Sequence, residues 1–133
     1  MTGRMSTYRR IPAEWIDPAV RAVIERTVRA AAIELGIAPP GIRYFREGTY
    51  PGADTLYPGT DLGRDLRGYV REIDPYTVYL ASDLTPHEAV KFAAHETRHA
   101  WQGQRRGRIA AEDEETDAQQ FAAKWLRKHQ KGR

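Results

Sequence analysis

A chain of 133 residues supports one domain with a single core, and the lack of cysteine excludes disulfides and any thiolate metal site. The net charge of +3 gives weak affinity for acidic surfaces, but basic residues are scattered among acids, so a nucleic-acid function has little support. No apolar run is long enough to span a membrane, and Met1 to Ser6 lacks the apolar stretch of a signal peptide, so the expected location is cytoplasmic.

Residues 1–16 read as a basic, irregular N-terminal arm, docked on the body through Ile11, Trp15 and Ile16. The first helix has Asp17 as N-cap, Pro18 at the first helical position and Gly36 as terminator. Val20, Val23, Ile24, Val28, Ala31 and Leu35 give it a helix-period apolar face, as expected of a scaffold helix packed behind a sheet. Pro39-Pro40-Gly41 breaks the chain, and Ile42 to Arg46 reads as a short strand.

Residues 47–67 form a long loop rich in Gly, Pro and Tyr. It holds a small repeat, Tyr50-Pro51-Gly52-Ala53-Asp54 and Tyr57-Pro58-Gly59-Thr60-Asp61, and each Pro-Gly suits a type II turn. Two solvated turns are the plain interpretation; a loop over a cleft, with tyrosines on the substrate, is the functional one. Asp54 and Asp61 match no calcium-loop spacing. Gly68 to Ile73 and Tyr76 to Ala81 then read as two strands joined tightly at Asp74-Pro75, an antiparallel hairpin.

Thr85, Pro86 and Glu88 open the next helix as N-cap, first helical residue and capping-box partner, and the helix is expected to stop near Gly103. Ala89, Val90, Ala93, Ala94, Ala100 and Trp101 form one apolar stripe, with His95, Glu96, His99 and Phe92 nearly opposite. His95-Glu96-Thr97-Arg98-His99 has the form H-E-x-x-H. Histidines four apart share a helix face and can reach one tetrahedral ion, usually zinc, with the glutamate beside the metal-bound water as general base. The competing interpretation is two surface histidines on an amphipathic helix.

A metal site needs a third ligand, and His129 lies too far along the chain. Glu112, Asp113, Glu114, Glu115 and Asp117 begin another helical run, where carboxylates favour the N-terminus in any case. Glu115 differs, because it extends the face of Ala118, Ala122, Trp125 and Leu126, where a carboxylate is costly unless paired or ligating. It is the candidate third ligand, with Asp113 and Asp117 as alternatives.

With Glu115-x-x-Ala118-x-x-Phe121-Ala122 following His95-Glu96-x-x-His99, the chain resembles the gluzincin metallopeptidases, closest to the small bacterial and phage domains of the ImmA/IrrE type. Val78-Tyr79-Leu80 and the Thr85-Pro86 helix start resemble that family's approach to its active helix. The resemblance spans roughly residues 18–127, with Thr97-Arg98 in place of the common Leu-Gly pair and Gln119 in place of Asn or Asp. It implies one zincin-like domain over residues 1–133, with His95, His99 and Glu115 as Zn2+ ligands and Glu96 as the catalytic glutamate. It also implies peptide-bond hydrolysis through a metal-bound water, a protein or peptide substrate, and an edge strand that holds an extended peptide. Tyr79, His87 and Arg98 are candidates for stabilising the oxyanion. The alternative function is a zincin-fold binding module that recognises a partner protein or repressor with little or no turnover. The expected fold is α+β: a scaffold helix, a small three-stranded, largely antiparallel sheet, the metal-binding helix and a C-terminal ligand helix, with helices on one face of the sheet.

Overall fold

The computed structural model describes residues 7–48, 67–71, 73–105 and 111–130. Among them the fold is α+β, with three helices and a four-stranded mixed sheet. The elements are β1 (Thr7–Ile11), a 3-10 turn (Ala13–Trp15), α1 (Pro18–Leu35), β2 (Gly41–Gly48), β3 (Gly68–Arg71), β4 (Asp74–Ala81), α2 (Pro86–Gln104) and α3 (Ala111–Gln130). No described helix is long and apolar enough to cross a membrane.

The sheet order is β1-β2-β4-β3. β1 pairs antiparallel with β2 from Thr7↔Gly48 to Ile11↔Tyr44. β4 lies between β2 and β3, parallel to the first and antiparallel to the second. The expected hairpin is therefore present, and its strands end at Arg71 and start again at Asp74, so Asp74-Pro75 belongs to β4 and not to the turn.

The expectation of three strands and an irregular arm is corrected by β1. In that strand Arg10 is exposed and Ile11 buried, the alternation of a charged edge strand, and its brevity hid it. Ile11 and Ile16 dock as expected, while Trp15 is 66% exposed. The long loop starts later than expected, because β2 runs on to Gly48; residues 49–66, including both Tyr-Pro-Gly repeats, lie outside the described residues.

Both helix starts follow their local chemistry. Asp17 accepts a hydrogen bond from Val20 N at 3.3 Å, and Gly36 closes α1 in the left-handed region at φ 76°. Thr85 and Glu88 form a reciprocal capping box at 3.2 and 3.0 Å. α2 stops at Gln104, near Gly103 as expected, and Gly103 itself lies in its last turn. Its missing side chain admits Pro75, whose Cβ would sit 2.7 Å from a Cβ at residue 103, and Gln104 Nε2 donates to Pro75 O across the same contact.

α2 is the central element, packed against α1, α3, β3 and β4. α1 packs beside α2 and also, through Ile24 and Val28, against the sheet, as expected of a scaffold helix. Small residues make this crowding feasible: Ala89, Ala93, Ala94, Thr97 and Ala100 are fully buried, and Thr97 Oγ1 satisfies itself on Ala93 O. One core joins Ile24 and Val28 to Phe45, Val78 and Leu80, and a smaller one joins Ala31, Ala94, Ala122 and Trp125. A helix enclosed on several sides has no wholly exposed face, so Glu96, expected opposite the apolar stripe, is 3% exposed.

Candidate metal centre

Helix geometry places His95 and His99 one turn apart on α2, and α3 crosses beside them with Glu115. His95 Nε2 and His99 Nε2 are 3.2 Å apart; Glu115 Oε2 lies 3.3 Å from the first and Glu115 Oε1 3.0 Å from the second. No other group of three His, Cys, Asp or Glu residues with comparable convergence occurs among the described residues. Four ligands around zinc at about 2.0–2.1 Å have edges of about 3.3 Å, so this donor set fits such an ion in both chemistry and spacing.

The rival carboxylates are placed differently. Asp113 is exposed and outside the group. Asp117 is taken by Arg98, which grips it through Nε at 2.6 Å and a second guanidinium nitrogen at 2.9 Å. These bonds hold the Asp117 carboxyl below its ordinary range. Burial works to raise the pKa of Glu115, but His95, His99 and a 3.1 Å bond from Gln119 Nε2 outweigh it, and the net shift is downward. Burial lowers that of His95, partly offset by Glu115. Gln119, at the position where the resembled family carries Asn or Asp, thus supports Glu115 directly.

Glu96 lies in the same cavity, of about 1050 Å³, bounded by β3 on one side and by α2 and α3 on the others. Its Oε1 is buried without a hydrogen-bond partner among the described residues. Burial, and then the nearby charge of Glu115, raise its pKa well above the carboxylate range. Such an acid accepts a proton more readily than an exposed glutamate.

Of the three candidates for oxyanion stabilisation, only His87 lines this cavity. Tyr79 alternates with Leu80 onto the opposite face of the sheet and stacks on Tyr69, with ring centroids 4.6 Å apart. Arg98 clamps α2 to α3 through Asp117 and lies 3.9 Å over the Trp101 ring.

Two further residues shape the site. Gly68 on β3 lies against Glu96, where a Cβ would come within 2.9 Å of Cγ. A glycine inside a strand signals close approach of another group, but not which group. Gln102, 2% exposed, places Oε1 2.8 Å from His99 Nδ1. Its position three residues after His99 on one helix was the available signal.

Comparison with protein-family models, with curated proteins and with solved structures yields no match to this chain.

Proposed function

We propose that this protein is a zinc-dependent metallopeptidase with a zincin-like fold, acting on protein or peptide substrates. The observation that carries the proposal is the convergence of His95, His99 and Glu115 beside the buried carboxyl of Glu96, whose Oε1 has no hydrogen-bond partner among the described residues, in one cavity. A cation-binding triad alone serves many purposes; a desolvated acid next to it serves proton transfer. The lack of cysteine favours a cytoplasmic setting.

His95 and His99 would hold the ion through Nε2 and Glu115 through its carboxylate. A bound zinc ion would supply Lewis acidity toward a peptide carbonyl and lower the pKa of water. Glu96 would take the proton from the attacking water and return it to the leaving amine, aided by its raised pKa. Gln119 holds the Glu115 carboxylate toward the histidines.

The test is elemental analysis of protein purified without a histidine tag, together with a peptide-library digest read by mass spectrometry. About one zinc per chain is expected, lost in His95→Ala and Glu115→Ala. Glu96→Gln should keep zinc and fold and abolish cleavage. A wild-type protein that takes up no zinc would overturn the hydrolase reading and favour a binding module.

A further inference from the structure

The two ends of the cavity differ in charge. α3 runs antiparallel to α2: the Glu114 backbone oxygen meets Gln102, Asp117 meets Arg98, and Ala122 shares a core with Ala94. On the side of His95 toward the start of α2, Lys91 and Phe92 therefore line the cavity together with Ala123 and Leu126 of α3. Among the described residues no carboxylate lines this end; Glu96, Glu114 and Glu115 lie at the metal centre or beyond it.

Lys91 precedes His95 by four residues, so the two share a helix face, with Lys91 about 6 Å nearer the start of the axis. Burial is the main reason that the pKa of His95 is lowered, and the charge of Lys91 adds to it. Arg67, a second cation at this end, is held by Asp83 at 3.2 Å and by Glu88 at 3.4 Å. Lys91 is exposed and has no carboxylate partner among the described residues; its Nζ lies 5.2 Å from the centre of the Phe92 ring. An available cation beside the apolar walls of Phe92 and Leu126 suits a side chain with an apolar stem and a negative end, which a chain-end carboxylate is not.

We propose that this end of the cavity is a subsite for an acidic substrate side chain, glutamate above all, and that Lys91 is the specificity-determining residue that pairs with its carboxylate. That the ligand is a peptide to be cut rests on the metallopeptidase reading; the preference for an acidic side chain at Lys91 does not. An extended peptide advances about 3.3 Å per residue, so a residue one or two places from the bond at the metal comes opposite Lys91. Arg71, a further cation lining the cavity, lies at the other end: it is in register with Asp74, and the neighbouring Pro75 packs against Gly103.

The experiment digests two libraries of C-terminally amidated peptides, identical except for glutamate or glutamine at each position in turn, with zinc-loaded full-length protein, and reads cleavage by mass spectrometry. Wild type should cut the glutamate peptides about 5- to 10-fold faster at one fixed distance from the cleaved bond, an advantage that shrinks as salt rises. Lys91→Met keeps the stem without the charge and should bring the two libraries within about twofold of each other. Lys91→Glu should turn the preference to lysine at the same position. Residue 91 is exposed, so both variants should match wild type in circular dichroism and zinc content.

Equal cleavage of the two libraries by wild type would overturn the proposal, as would a glutamate preference kept in Lys91→Met. So would its loss in Arg71→Met alone, which puts the carboxylate at the other end, or a preference confined to a parallel set of peptides with free C-termini. If wild type takes up no zinc or cuts nothing, the metallopeptidase reading falls. Binding of the same amidated peptides, spotted as an array, to wild type and Lys91→Met then decides the role of Lys91, and an array without glutamate preference overturns it as well.

Discussion

Gly68 on the edge strand and Glu96 on α2 touch across the floor of the cavity: a Cβ at residue 68 would lie 2.9 Å from Glu96 Cγ and 3.0 Å from its Oε2. Backbone strain is not the reason for glycine here, since Gly36 is the only described residue with positive φ. The reason is space. The same added atom would also stand 3.1 Å from Leu80 Cδ2, so it could not turn away from the acid without meeting the core.

Gly68→Ala should therefore destabilise the fold by about 1–3 kcal/mol, the usual cost of overpacking. It should shift Glu96 while leaving His95, His99 and Glu115 in place. Reduced peptide cleavage at unchanged zinc content is the expected pair of results. Full cleavage activity with wild-type melting would show that the contact is slack.

Glu96 itself makes stability depend on pH. Its folded pKa is raised, so between the unfolded value, about 4.3, and the folded one the native state binds the proton and the unfolded chain does not. Stability contributed by this group falls as pH rises through that window. Glu96→Gln cannot ionise, so in the presence of chelator it should gain on wild type between about pH 4 and pH 7. Urea midpoints of both proteins across that range check the sign; parallel curves would contradict the burial of this carboxyl as an ionisable group.

Arg98 and Asp117 give the opposite slope. Asp117 is held below the usual range by the Arg98 hydrogen bonds, so its contribution is present above about pH 4 and is lost as pH falls through the folded pKa. Asp117→Asn should flatten acid unfolding, and Arg98→Ala should cost about 1.5–3 kcal/mol at neutral pH, since a charged two-point bond and a ring contact are lost together. Chemical denaturation of the two variants at neutral and acid pH separates the effects. An Arg98→Ala cost near zero would mean that α3 is held by its apolar face alone.

Tyr44, 3% exposed, buries a hydroxyl with no hydrogen-bond partner among the described residues. Burial and then the charge of Glu25 push its pKa up to about 12. An unfolded tyrosine ionises near pH 10, so above that value the unfolded chain releases a proton that the native state keeps, and stability falls until about pH 12. Tyr44→Phe should match or exceed wild type by up to about 1 kcal/mol at pH 7 and lose less stability above pH 10. Thermal melts at pH 8 and pH 10.5 measure this; a destabilised Tyr44→Phe at pH 7 would reveal a partner for the hydroxyl.

Much of the chain was legible from short-range chemistry. Asp17, Pro18 and Gly36 mark α1, and Thr85, Pro86 and Glu88 mark the start of α2, because a cap is satisfied by atoms within one helical turn. Gly103 marks the end of α2 in the same way, since the helix stops at Gln104, but its lack of a side chain also admits Pro75 from a strand far away in sequence, which local chemistry does not show. β1 was missed because five residues with two central arginines carry almost no pattern; what makes them a strand is the open edge of β2.

The sequence by itself determined that His95 and His99 share a face of one helix, since their spacing matches the helical period, and that Glu115 lies on the apolar side of the next. Tertiary structure alone decided which carboxylate meets the histidines, turning Asp117 to Arg98 and Glu115 to the cavity. It also placed β4 between β2 and β3, brought Gly68 against Glu96 and put Gln102 between His99 and α3. Caps and periods are set by neighbours in sequence. Sheet order, close approach and the partner of a buried amide are set by packing among elements distant in sequence, which no local pattern encodes.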